Sequence, residues 1–93
     1  KPDAFNFSNE SELNILGYKL MRSGTITSSI KLFQLYVSEF PNSANAYDSL
    51  AEAYFNNKEY ALSKQNYQKS LELNPDNTNA GEMLKKIEEL KQK

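Results

Sequence analysis

The sequence predicts an all-α fold: two helical hairpins followed by a C-terminal capping helix, stacked as an α-α superhelix. Three observations predict it. Pro41 and Pro75 stand 34 residues apart, closing Ser38-Glu39-Phe40-Pro41 and Glu72-Leu73-Asn74-Pro75. Laying the chain on itself at that offset pairs Leu16 with Leu50, Gly17 with Ala51, Leu20 with Tyr54, Ser29 with Ser63 and Phe33 with Tyr67. Asn45, Ala46 and Leu50 recur again as Asn79, Ala80 and Leu84, and a fixed period of this size marks a repeat array. Finally, Leu13, Leu16, Gly17 and Leu20 fall at i, i+3, i+4 and i+7, as do Tyr47, Leu50, Ala51 and Tyr54. That spacing is one face of an α-helix.

Each element follows from local punctuation. Residues 1–8 form an N-terminal extension or linker carrying Phe5 and Phe7, and 9–93 form the repeat domain. The first repeat covers about 10–43, the second about 44–77, and the capping helix about 78–92. Asn9, with Glu12 three residues on, caps a first helix that ends near Gly24. A second helix over 25–39 stops before Pro41. Ser43 caps a third over 44–56, and Asn56-Asn57 makes the turn into a fourth over 59–72. Asn74-Pro75-Asp76 breaks that helix. The fifth shows Ala80, Met83, Leu84, Ile87 and Leu90 on one side and the pairs Glu82–Lys86 and Glu89–Lys93 on the other. Lys91 and Lys93 suit its negative end, and a polar outer face lets a repeat array end in water. No such cap precedes the first hairpin, which is expected to expose Leu13, Leu20 and Ile26. Small residues at Gly17, Ala51, Ser29 and Ser63 let helix backbones approach while Phe33 and Tyr67 fill the space beside them.

Composition narrows the function. Eleven basic and twelve acidic residues leave a net charge of −1, with no electrostatic footprint for nucleic acid or an anionic membrane. Cys and His are absent, which excludes disulfides, Cys/His metal sites and most nucleophile–base pairs. No catalytic, cofactor-binding or metal-ligating residue is assigned. No apolar run has the length of a membrane span. The chain opens on Lys1 rather than Met, and a piece of a longer polypeptide is expected. Ser28-Ser29-Ile30-Lys31 matches the Ser-x-x-Lys string of penicillin-binding enzymes but lacks its partner motifs, so Ser29 is read as a packing residue. Asn6-Phe7-Ser8 and Asn9-Glu10-Ser11 match glycosylation triplets, which arise often by chance.

The 34-residue pattern resembles the tetratricopeptide repeat, Trp-x2-Leu-Gly-x2-Tyr, then Ala-x3-Phe, then Pro. The second copy matches at Tyr47, Leu50, Ala51, Tyr54, Ser63, Tyr67 and Pro75, and the first more loosely at Leu13, Leu16, Gly17, Leu20, Ser29, Phe33 and Pro41. Ser29 and Ser63 replace the usual Ala, and Tyr36 replaces a small residue. The resemblance implies a protein-interaction module whose first helices line a groove for an extended peptide. Carried over by position, that groove shows Asn14, Tyr18, Met21 and Arg22 from the first copy. Asn45, Asp48, Glu52, Phe55 and Asn56 come from the second, with Asn79, Glu82 and Lys86 on the last helix. Tyr18, Met21 and Phe55 are its expected exposed anchors. The Lys/Asn/Arg set that clamps a terminal carboxylate in some relatives is missing, because Asp48 and Glu52 make the wall mixed to acidic. The competing reading is a solvated wall, or a packing face for another domain of the same chain. Phe5 and Phe7 mark a second candidate surface, docking an upstream domain or another copy through weak self-association.

The stretches 41–54, 69–77 and 13–18 also look like the C-terminal repeat tail of certain bacterial hydrolases, serine beta-lactamase-like proteins and α/β-hydrolase esterases. That resemblance implies a tail behind a catalytic domain, in a bacterial and periplasmic or secreted setting. A stand-alone adaptor is the alternative.

Overall fold

The computed structural model describes residues 10–91. They form five helices, α1 (Glu10–Arg22), α2 (Ile26–Glu39), α3 (Ala44–Asn56), α4 (Tyr60–Leu73) and α5 (Thr78–Lys91), with no strand among the described residues. Asn9, Phe5, Phe7, both glycosylation triplets and the Glu89–Lys93 pair involve residues outside the described ones.

Loops of a few residues force consecutive helices into antiparallel neighbours. Each helix packs on the next in sequence, and α1 also meets α3. The result is a slab of 51 × 30 × 16 Å, the shape of stacked hairpins and not of a sphere.

The turns repeat with the sequence. At the end of α1, Gly24 takes φ 90°, Thr25 N–H bonds Leu20 O at 3.1 Å and Gly24 N–H bonds Met21 O at 3.2 Å. At the end of α3, Lys58 takes φ 64°, Glu59 N–H bonds Tyr54 O and Lys58 N–H bonds Phe55 O, both at 2.9 Å. This is the same left-handed helix stop twice, and only the first copy has the glycine that fits it. As expected, Ser43 caps α3, its Oγ accepting from Ala46 N at 3.1 Å. Asn77 caps α5 in the same way, accepting from Ala80 N at 3.2 Å.

Two apolar clusters make the core. Leu13, Ile30, Phe33, Tyr36, Ala46, Leu50, Ala53 and Tyr54 join α1, α2 and α3. Ala51, Tyr67, Ala80 and Ile87 join α3, α4 and α5. Gly17 is required where it stands, because an added Cβ would drive into the buried Phe33 ring. The two serines that replace Ala are satisfied by the paired helix: Ser29 Oγ donates to Gly17 O at 2.9 Å and Ser63 Oγ to Ala51 O at 2.8 Å. Tyr36 is buried as well, and its hydroxyl donates to Glu10 Oε1 at 3.0 Å.

Four expectations are corrected. Leu16, assigned to the core face, is 46% exposed, because no described helix lies over α1 as α2 lies over α3. Leu13, expected to be exposed, is 2% exposed, since it joins the α2–α3 cluster. Leu20 and Ile26 are half-buried for the same reason of neighbouring helices. Lys86 does not pair with Glu82; its Nζ lies 5.8 Å from the centre of the Phe55 ring, a cation over an aromatic face.

Candidate functional site

The odd-numbered helices α1, α3 and α5 carry the residues expected to line a groove, and side chains about one repeat apart tie these helices together. Tyr18 Oη donates to Glu52 Oε1 at 2.8 Å across 34 positions. Ser49 Oγ donates to Asn14 Oδ1, and Asn56 Nδ2 to the Met21 thioether, each across 35 positions. Asp48 anchors the other junction, accepting from Asn77 Nδ2 at 2.8 Å and from Asn79 Nδ2 at 3.1 and 3.2 Å. A period of 34 brings residue i beside residue i+34 wherever like helices are neighbours, so the ladder follows from the repeat itself.

The expected anchors are therefore not free knobs. Tyr18 is half-buried, its ring edge-on to Phe33 with centres 5.3 Å apart. Phe55 is half-buried against Tyr60, also at 5.3 Å, and Met21 packs on the first core cluster. Arg22, Asn45, Asn56, Asn79, Glu82 and Lys86 are exposed. Asn45 turns away from the ladder toward the Tyr36 hydroxyl, at 3.5 Å.

A cavity of about 240 Å³ opens between α3, α4 and α5, lined by Glu52, Phe55, Asn56, Tyr67, Asn79 and Met83. Tyr67 and Met83 were not assigned to the site from sequence. Tyr67 reads as a packing residue through its match to Phe33, and Met83 as part of the α5 core side. Both assignments are right about packing, and each side chain also presents an edge to the cavity.

Electrostatics keep the phenols neutral. Burial pushes the Tyr67 hydroxyl far above its ordinary range, and the carboxylates of Asp48 and Glu52 push it further. Tyr18 is likewise raised, first by burial, which outweighs the lowering by the Ser49 hydroxyl, with the hydrogen bond and charge of Glu52 and the charge of Asp48 adding to the rise. Tyr18 acts as a hydrogen-bond donor, not as a base or nucleophile. Among the described residues no group of three or more carboxylates is placed to hold a metal ion, and no helix is long and apolar enough to cross a membrane.

Residues 44–77 match the family model described as tetratricopeptide repeat. The first such domain of Spaghetti (RPAP3), solved bound to the HSP90 peptide SRMEEVD, superposes with a TM-score of 0.83 at 22% identity, covering 91% of this chain and 68% of that one. The fold is of the tetratricopeptide type. The second tetratricopeptide domain of the same protein, bound to the same peptide, gives a TM-score of 0.72 at 16% identity, covering 91% of this chain and 85% of that one. No curated protein sequence matches the chain. The matched stretch takes in α3, α4 and the turn that leads into α5.

Proposed function

We propose that the chain is a non-catalytic protein-interaction module that holds an extended segment of a partner against the face of α1, α3 and α5. The observation that carries this reading is the cavity beside Glu52, set in a wall whose side chains are already tied to one another. A wall fixed before binding has less conformational entropy to lose when a peptide arrives. Spaghetti's first domain was solved with a peptide on this fold, which supports the same use here.

The wall chemistry narrows the partner. Asp48 and Glu52 stand at its centre, so a peptide as acidic as SRMEEVD meets like charge. The fitting segment is neutral or basic there, with an apolar side chain for the space between Phe55, Tyr67 and Met83. Selection of linear peptides from a random displayed library tests this. The expected winners avoid acidic runs, and enrichment of Glu- and Asp-rich sequences would contradict it.

The stretches 41–54, 69–77 and 13–18 favour a setting for the module: the C-terminal tail of a larger bacterial hydrolase, with catalysis in sequence outside these residues. The partner segment then belongs to the same polypeptide or its assembly. The coding sequence upstream of Lys1 decides this. An encoded hydrolase domain supports the tail, and a start codon at this point leaves the adaptor.

A further inference from the structure

The 34-residue register sets each position of α1 against a counterpart in α3. Ala46, Leu50 and Ala53 are 0, 5 and 0% exposed, in one cluster with Ile30, Phe33 and Tyr36 of α2. Their counterparts are Glu12, Leu16 and Lys19. Glu12 and Lys19 are exposed, Leu16 is 46% exposed and neighbouring Ile15 61% exposed. Positions 12, 15, 16 and 19 follow the i, i+3, i+4, i+7 spacing, so they form one strip along α1. Small side chains at the contact let a neighbouring helix come close, and here the two alanine positions carry long charged ones. The strip is therefore not a copy of the α3 surface on which α2 packs. Charge sets α1 apart as well. Glu10 and Glu12 stand in its first turn and Lys19 and Arg22 in its last, whereas α2, α3 and α4 have no acidic first turn and no basic last turn.

We propose that this strip is the contact surface for a second copy of the chain, with the two α1 helices antiparallel about a two-fold axis. The strip is complementary to its own reverse. Glu12 stands three residues before Ile15, and Lys19 three residues after Leu16. In a two-fold pair centred between residues 15 and 16, each residue faces the one equally far on the other side of that centre. Ile15 then meets Leu16 of the second copy, and Glu12 meets Lys19 of the second copy, each contact occurring twice. A two-fold interface requires this, because one patch must suit itself. A parallel pair in register would set Glu12 against Glu12 and Lys19 against Lys19, which like charge disfavours. The antiparallel pair also brings the acidic first turn of each α1 beside the basic last turn of the other. Four side chains from each copy fall short of the about 20–30 residues a side of a standard interface, so the dimer is weak and depends on concentration. None of the four is among the residues expected to line the groove, and the inference stands or falls without the peptide reading.

Charge reversal in the whole chain tests it, read by sedimentation over a concentration series up to about 1 mM. Glu12 and Lys19 are exposed, so variants at both are expected to fold. Glu12→Lys alone and Lys19→Glu alone each turn two attractions into two repulsions, and each should weaken the dimer about tenfold or more. Mixing these two variants in equal amounts should restore association, since each carries the charges that the other lacks. An unmodified chain that stays monomeric over the series overturns the proposal, and so does a dimer indifferent to both reversals. A mixture no more associated than its components overturns it as well. Nuclear Overhauser contacts between Ile15 and Leu16 methyls of labelled and unlabelled copies give a mutation-free readout. Contacts from these methyls to another segment of the same chain instead would assign the strip to that segment, against the proposal.

Discussion

Tyr18 Oη donates to Glu52 Oε1 at 2.8 Å, and the two residues occupy the same position of successive repeats. The bond makes one residue of each repeat the partner of its own counterpart. It also places a buried phenol where deprotonation would set two negative charges together.

Stability is expected to fall at alkaline pH. Tyr18, Tyr36 and Tyr67 are all raised by burial above the ordinary tyrosine value of 10.0. Below that value both states hold the proton and the neutral hydrogen bonds contribute fully. Above it the unfolded chain loses protons the folded chain keeps, so each such tyrosine lowers the unfolding free energy by up to about 1.4 kcal/mol per pH unit. Urea denaturation from pH 8 to 11 measures the slope. Tyr18→Phe should reduce it, and a slope unchanged by that substitution would contradict the assignment.

Gly17→Ala should destabilise. Helix propensity favours alanine by about 1 kcal/mol. Against that, the new Cβ meets the fully buried Phe33 ring, and overpacking a rigid site costs about 1–3 kcal/mol. A net loss of about 1 kcal/mol is expected. Ala51 in the second copy tolerates its Cβ, so the same exchange there in reverse should cost, not help. A more stable Gly17→Ala variant would show that Phe33 can move aside.

Lys58→Gly should stabilise. The lysine holds φ 64°, a conformation that costs an ordinary residue about 1 kcal/mol or more, and Gly24 occupies the equivalent place without that cost. A gain of about 0.5–1 kcal/mol is expected from thermal or chemical denaturation, after the extra freedom of glycine in the unfolded chain is counted. A loss would mean that the lysine side chain holds the turn in another way.

Leu50→Ala should cost about 2–5 kcal/mol, the range for a leucine removed from a packed core. Leu50 is 5% exposed and Leu16, its counterpart, 46% exposed, so Leu16→Ala should cost clearly less. Equal losses at the two positions would mean that Leu16 is as well covered as Leu50.

The fold was legible because it depends on local signals. Pro41 and Pro75 fixed the period, and Ser43, Gly24 and Asn74-Pro75 fixed helix ends within a residue or so of those observed. Leu16 was misplaced because periodicity shows which residues share a helix face, not whether a neighbour covers that face. The candidate groove positions were assigned by register, which says nothing of how far each side chain is buried. Whether Tyr18 is an open anchor or a buried donor depends on Glu52, 34 residues away in sequence. Tyr67 was missed for a related reason: a residue that fills the core at one edge and lines a cavity at the other has a single sequence signature.

In the proposed function, the face of α1, α3 and α5 holds an extended peptide at the Glu52 cavity. The most direct measurement is an amide and methyl chemical-shift map of the intact chain titrated with a peptide selected from a displayed library. Saturable shifts are expected at Glu52, Phe55, Asn79 and the Met83 methyl, and are expected to be lost with Phe55→Ala in a chain that still folds. Shifts centred instead on the outer turns, on the α2 and α4 surfaces, or on Ile15 and Leu16 would contradict it.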